Sequence, residues 1–320
     1  MSELRKPTEG DRTLRPGFID THSHFQLLDR LDPIQGAERQ RRQLLAAREA
    51  GIDAMLLAPG APEDWTPTQR FARMHGLGYF LGIHPLYVSQ VNERDVAALR
   101  KAVEASLDDP FFIGIGEIGL DGFVPGQNQA HAEAIFAACL RIARDYALPV
   151  SLHARKSVSR VLYYLRRIPP AGGAVHAFNG SAVERDRFLE MGLSLGFGGA
   201  ATYAGSRRIR AHLAAVPDNA WVLETDAPDM PTSRRRDAHA RGEAPLETEP
   251  ADILEAAAAA AVLRGLSLEA VAAQSSRNAC AAFPRLASLL SRPDAFCCQA
   301  RDKLRNVVQH SADDSASSEV

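Results

Sequence analysis

Five histidines and two acids stand in short motifs spread along the chain: His22 and His24 in DTHSHF (20–25), His84 in GIHP (82–85), Glu117 in GEIGLD (116–121), His153 in LHAR (152–155), His176 in HAFNG (176–180) and Asp226 in ETDAPDMP (224–231). Imidazole nitrogen mixed with carboxylate oxygen suits zinc, manganese, iron or nickel, whereas magnesium prefers oxygen. On a strand, residues i and i+2 face the same side, so H-x-H offers two imidazoles to one ion. Glu117, with two oxygens, can bridge two ions. His153 and His176 can hold the second. Asp226 can ligate the first and accept a proton from an attacking water. Each residue also has a bland reading as a polar strand end, a hydrogen-bonded core histidine or a turn residue. Their joint placement favours a metal site.

The stretch FIGIGEIGLD (112–121) also contains GIGEIG, a formal match to the dinucleotide fingerprint. That reading needs a helix to start within the glycines and an acid roughly 20 residues further on. Here DGFVPG follows, with Pro125 delaying any helix, and the later region, IFAACL, reads as mid-helix. The glycines instead let a strand lie close to the metals and to neighbouring strands.

Among the basic residues, Arg155 follows His153 closely, and its fork suits phosphate oxygens. Lys156 is next to it. Arg234, Arg235 and Arg236 lie just after Asp226, where a phosphate contact is open. Arg207, Arg208 and Arg210 read as a solvated helix face, and His75, His131, His212 and His239 as surface groups.

The elements that must position these residues are short apolar runs at 17–20, 52–58, 78–83, 111–118, 149–153, 173–178, 194–198 and 220–225. Continuous apolar runs fit parallel strands buried on both faces. Between them lie helical patterns. One spans 127–146. A second opens at the capping box Ser181-x-x-Glu184 and stops at Gly192. Ser206 is a cap for a third, Pro250 opens a fourth that ends at Gly265, and Ser267 caps the last long helix, ending near Phe283. Eight alternations predict an α/β fold, a (β/α)8 TIM barrel, with a doubly wound sheet as runner-up. The seven residues then fall at strand C-terminal ends, the rim where such barrels place catalytic groups. The expected organisation is an N-terminal extension (1–16), a barrel (17–290) and a polar, disordered tail (291–320). Residues 231–248 show no apolar period and read as a long loop.

The chain has 320 residues, 46% of them hydrophobic, with 37 Lys plus Arg against 39 Asp plus Glu and a net charge of -2. Bulk charge therefore does not announce a nucleic-acid binder, and any phosphate site must be local. The cysteines, Cys139, Cys280, Cys297 and Cys298, form no C-x-x-C pair, which argues against a zinc ribbon or redox motif. No secretory signal is visible, and no apolar stretch approaches the ~20 residues of a membrane span. The expectation is a cytoplasmic protein.

These motifs, in this order and spacing from residue 17 to about 285, resemble the TatD family of metal-dependent hydrolases, with ETDAPDMP most similar to its YjjV-like branch. The resemblance implies a barrel of the amidohydrolase type holding two or three divalent ions. Carried over by position, the ligands are His22, His24, Glu117, His153, His176 and Asp226, while His84 sits beside them and contacts substrate phosphate. Ser23 stands where many members have Cys. ETEP (247–250) stands where the family often has Arg-Asn-Glu-Pro, so substrate contacts of that region are not carried over.

The expected activity is phosphodiester hydrolysis, as a 3'-5' exonuclease on single-stranded DNA ends, with Mg, Mn or Zn. Bound divalent ions bring water's pKa near ~7, and the bridging hydroxide attacks phosphorus. Asp226, His84 and Glu117 are the expected catalytic residues, and His84 and Arg155 the expected substrate contacts. No obligate protein partner is inferred. One alternative is amide or ester hydrolysis of a small molecule or aminoacyl ester in the same centre. A weaker one is a non-enzymatic, metal-stabilised binding protein.

Overall fold

Runs of Val, Ile, Leu and Phe too short to make helices can bury both faces only inside a sheet covered on its outer side. The computed structural model, which describes residues 17–297, shows that arrangement. The strands β1 (Phe18–Ser23), β2 (Ile52–Leu57), β3 (Gly78–Leu81), β4 (Phe112–Asp121), β5 (Val150–Arg155), β6 (Gly173–Val175), β7 (Ser194–Phe197) and β8 (Trp221–Leu223) form one sheet in sequence order. Every paired neighbour is parallel. The last strand meets the first through the loops that follow it. Thr21 Oγ1 donates to Leu223 O at 2.9 Å, Asp226 N to His22 O at 2.9 Å and His24 N to Ala227 O at 2.7 Å. This is a (β/α)8 TIM barrel.

The helices are α1 (Leu28–Leu31), α2 (Gly36–Glu49), α3 (Trp65–His75), α4 (Glu93–Ser106), α5 (Gln129–Asp145), α6 (Val158–Leu165), α7 (Ala182–Glu190), α8 (Arg207–Ala215), α9 (Ser233–Ala240), α10 (Ile253–Arg264), α11 (Leu268–Ala282) and α12 (Arg285–Leu290). The capping box of α7 forms as read from the sequence, with Ser181 Oγ accepting from Glu184 N and the Glu184 carboxylate accepting from Ser181 N. Ser267 caps α11, and Gly265 ends α10 in the left-handed region at φ 65°. Ser206 precedes α8 but makes no capping bond with its side chain. Helix α5 starts two residues later than predicted, after Asn128, whose side chain accepts from His131 N.

The glycines of β4 serve close packing. The strand runs through all of them, and no helix starts there. A Cβ on Gly119 would lie 2.0 Å from His153 O, and one on Gly116 would lie 2.7 Å from Ser151 Cβ. The dinucleotide reading falls with this geometry. All ten residues of β4 are buried, among them Phe112, Ile113, Ile115, Ile118 and Leu120. Each fully buried Leu, Ile or Phe stabilises the fold by roughly 1.5–3 kcal/mol relative to exposure.

Three expectations need correction. The predicted loop at 231–248 contains α9, capped by Thr232. This helix buries none of its residues, so it carries no apolar stripe to read. His212 is not a surface group: it is buried on the inner face of α8, with Nε2 2.9 Å from Gly180 O. The folded body passes residue 290, because Phe296 is fully buried and its N–H donates to Gly76 O. The rest of the expected tail, and the extension at 1–16, lie outside the described residues. No single helix among the described residues is long and apolar enough to cross a membrane.

Candidate metal centre

The strand ends deliver the predicted side chains to one point. His22 lies inside β1, and His24 lies just past it on the same side. Their Nε2 atoms are 3.2 Å apart. Glu117 is in mid-β4 rather than at its end, since the strand continues to Asp121. Its Oε2 lies 3.0 Å from Nε2 of His22 and of His24, and 3.3 Å from Nε2 of His84. Its Oε1 lies 2.6 Å from Nδ1 of His153 in β5. Asp226, three residues beyond the end of β8 and held at φ 60°, places its carboxylate 3.4 Å from His176, 3.6 Å from His24 and 3.7 Å from His22. A left-handed aspartate is strained, and the backbone bonds from Asp226 N to His22 O and from Asp229 N to Asp226 O hold it there.

So many nitrogen and oxygen lone pairs directed at one another repel unless positive charge lies between them. Among the described residues, three sets of ligand atoms lie within 4.8 Å of one another: His22, Glu117 and His176; His22, His24 and Asp226; His84, Glu117 and His153. The titration shifts tell the same story. Burial opposes ionisation of Glu117, yet the surrounding His84 and His22 hold its carboxyl well below its ordinary value. Asp226 is likewise lowered, with His176 outweighing burial. Burial disfavours charge on His153, but its hydrogen bonds to Asp121 and Glu117 lift it to about 9. His176 is raised well above its ordinary value against burial, by Glu224 and Asp226. His22 is lowered by burial and by the neighbouring His176. The donor set fits divalent cations of the nitrogen- and oxygen-preferring kind.

Hydrogen bonds on the far side of each ring sort the histidines. His24 Nδ1 lies 2.7 Å from Ala58 O, which can only accept, so Nδ1 carries the proton and Nε2 presents a lone pair to the centre. His84 is wired the opposite way. Its Nδ1 accepts from Leu86 N at 3.1 Å, so the neutral ring carries its proton on Nε2 and is a donor, not a ligand. Burial, above all, lowers the pKa of His84 and keeps it neutral. His176 differs: its buried Nδ1 lies 3.0 Å from Glu224 Oε1 as an ion-pair contact without hydrogen-bond geometry, and its Nε2 lies 3.4 Å from Asp226 Oδ2.

Sequence reasoning quoted Asp20, Asp121 and Glu224 within motifs but gave them no role. All three are buried behind the centre. Asp20 accepts from Thr225 N and Thr225 Oγ1 and so ties β1 to the residue before Asp226; burial pushes its carboxyl up to about 7. Asp121 Oδ2 is 3.0 Å from His153 Nε2. Glu224 Oε1 also accepts from Ala177 N at 2.6 Å. The available signal was their position: acids within four residues of a candidate ligand at a strand end.

The centre floors a cleft of about 1100 Å³. Arg155 lines it with its side chain 58% exposed, and Lys156 and Arg208 join it. Arg208 is thus not simply a solvated residue: its Nε and Nη2 donate to Asn179 Oδ1. Arg210 donates to Ala201 O. None of Arg234, Arg235 and Arg236 is among the residues lining this cleft. Arg234 pairs with Glu255, Arg235 with Asp252 and Glu249, and Arg236 lies over the Tyr203 ring.

Residues 19–284 match the family described as TatD related DNase. An uncharacterised metal-dependent hydrolase of Haemophilus influenzae is 30% identical over 83% of this chain and 99% of its own length. A 3'-5' ssDNA/RNA exonuclease TatD of Erwinia amylovora is 30% identical over 81% of this chain and 99% of its own length. The crystal structure of YjjV, a TatD homologue from Escherichia coli, superposes with a TM-score of 0.75 at 28% identity, covering 85% of this chain and 99% of that one. Strand order, donor set and these likenesses agree: the chain belongs to the TatD family of metal-dependent hydrolases.

Proposed function

We propose that the chain is a phosphodiesterase, a 3'-5' exonuclease acting on single-stranded DNA ends with divalent ions. The observation that carries this reading is one cleft holding a six-ligand set, a neutral histidine donor and an exposed arginine together. His22, His24 and Asp226 would hold one ion, His153 and His176 a second, and Glu117 would bridge them. A third ion is open to the same site, and Mg, Mn and Zn are the candidates. Bound ions of this kind supply Lewis acidity and make water a nucleophile at neutral pH.

The chain's own residues do the rest. Asp226, ionised and close to three imidazoles, takes the proton that the attacking water sheds. His84 donates from Nε2 to a phosphate oxygen, and the Arg155 fork neutralises the phosphate charge. The support from relatives is the exonuclease name borne by the Erwinia amylovora protein.

The test is hydrolysis of end-labelled single-stranded DNA by metal-stripped protein given Mg, Mn or Zn singly, with Asp226→Asn in parallel. Stepwise shortening with metal, lost in the variant, is expected. Full turnover by Asp226→Asn would remove its assigned role. The confinement of Arg234 and Arg235 to ion pairs away from the cleft removes two cations that a strand could use and favours, as a second reading, a small amide or ester substrate. Absence of competition by excess single-stranded DNA against a generic phosphodiester would select that reading.

A further inference from the structure

We infer that Phe123, backed by Arg155, forms a stacking platform for an unpaired nucleobase at the lip of the metal cleft. This rests on the phosphodiesterase reading and gives it a physical basis for choosing single strands. Phe123 is 52% exposed, which is unusual for so large an apolar side chain. Of the two aromatic side chains that are exposed among the described residues, Phe123 lines the cleft. The other, Tyr163, does not, and lies under Arg167.

The ring is presented by a built turn. Phe123 N donates to Asp121 Oδ1 at 2.7 Å, and Gly122 N donates to Arg155 O at 2.7 Å. A Cβ on Gly122 would lie 2.6 Å from Lys156 O, so the two turns pack backbone to backbone. Lys156 itself sits at φ 54°, a conformation a lysine adopts only when its surroundings impose it. The Arg155 guanidinium lies 4.3 Å from the Phe123 ring centroid and the Lys156 ammonium 5.6 Å from it.

Asp121 joins this platform to the centre. Its Oδ1 holds Phe123, while its Oδ2 is 3.0 Å from His153 Nε2 and 3.7 Å from Arg155 Nη1. An aromatic ring with a guanidinium over one face, one side chain away from a phosphate-processing site, has the chemistry that receives a base on its other face, next to the scissile phosphate. Stacking on aromatic rings accepts any base, because every base has a π-face. A base inside a duplex keeps its own neighbours and is not free to stack here.

The test measures binding of two fluorescein-labelled octamers, dT8 and an abasic octamer of equal length. Both carry phosphorothioate linkages to suppress cleavage, and the protein is full-length and metal-loaded. Phe123→Ala should weaken dT8 binding by roughly 5- to 160-fold, the range of base-aromatic stacking. The loss on the abasic strand should be at least fivefold smaller, and Phe123→Trp should bind dT8 at least as tightly as wild type. Equal losses on both strands, unchanged dT8 binding by Phe123→Ala, or no dT8 binding by wild type would each overturn the platform. Cleavage of the ordinary phosphodiester strand, followed in parallel, separates the two failures. If wild type cleaves it, only the platform falls; if it does not, the phosphodiesterase reading falls as well.

Discussion

His24 and His84 show how two identical side chains in one cleft are given different work. A carbonyl behind His24 fixes the proton on Nδ1, and an amide N–H behind His84 fixes it on Nε2. His84→Ala should therefore keep the wild-type metal stoichiometry while turnover falls by ~10²–10³-fold, the usual cost of removing one oxyanion donor. Elemental analysis beside steady-state kinetics checks this, and loss of bound metal in His84→Ala would make His84 a ligand. Glu224→Gln should weaken metal affinity by roughly 10–100-fold, as removal of an outer partner of a ligating histidine does. Calorimetric titration measures it, and an unchanged affinity would show that Glu224 serves only the Ala177 backbone. The candidate ligands were legible in the sequence because His and Glu at the ends of apolar runs are conspicuous. Asp20, Asp121 and Glu224 were not, because their roles follow from burial and from which ring they face, and neither quantity is written in spacing.

At the scale of elements, the strands were readable, whereas helix α9 lay in a stretch read as a loop. A strand buried on both faces declares itself as an unbroken apolar run. Helix α9 has no buried face and is pinned instead by Arg235, which pairs with Glu249 and Asp252 near the start of α10. The carboxylate of Asp252 is almost completely buried, with 2% of its side chain exposed. Arg235→Ala would leave that charge without its main partner. The expected loss of stability is about 2–3 kcal/mol, below the ~3–5 kcal/mol of a fully buried pair because Arg235 retains some exposure. Denaturant unfolding with an unchanged slope would measure it, and a loss under ~0.5 kcal/mol would show the pair to be a surface pair in effect. His212 illustrates a readable residue that was passed over, since Ile209 and Leu213 bracket it at helical spacing on the face of α8 turned toward the barrel.

For the whole molecule, the net charge of -2 and the basic lip formed by Arg155, Lys156 and Arg208 act in opposite directions. Two or three neutralised phosphates predict a slope of about -1.4 to -2.1 in log K against log salt for a single strand. Fluorescence anisotropy across a salt series gives that slope. A steeper value, near -5, would require a much longer basic track than the cleft provides.

The closing of the barrel has one more consequence. His22 and His24 come from the first strand and Asp226 from the loop after the eighth, tied by the bond from Asp226 N to His22 O. Synthesis runs from the N-terminus, so a growing chain carries both imidazoles for about two hundred residues before their carboxylate exists. Hydrolytic competence therefore arrives only when the ring is complete. A chain interrupted anywhere before the eighth strand carries His22 and His24 without the Asp226 carboxylate that faces them in the finished barrel. The barrel's topology thus acts as a timing device, which withholds a reactive centre from every unfinished copy.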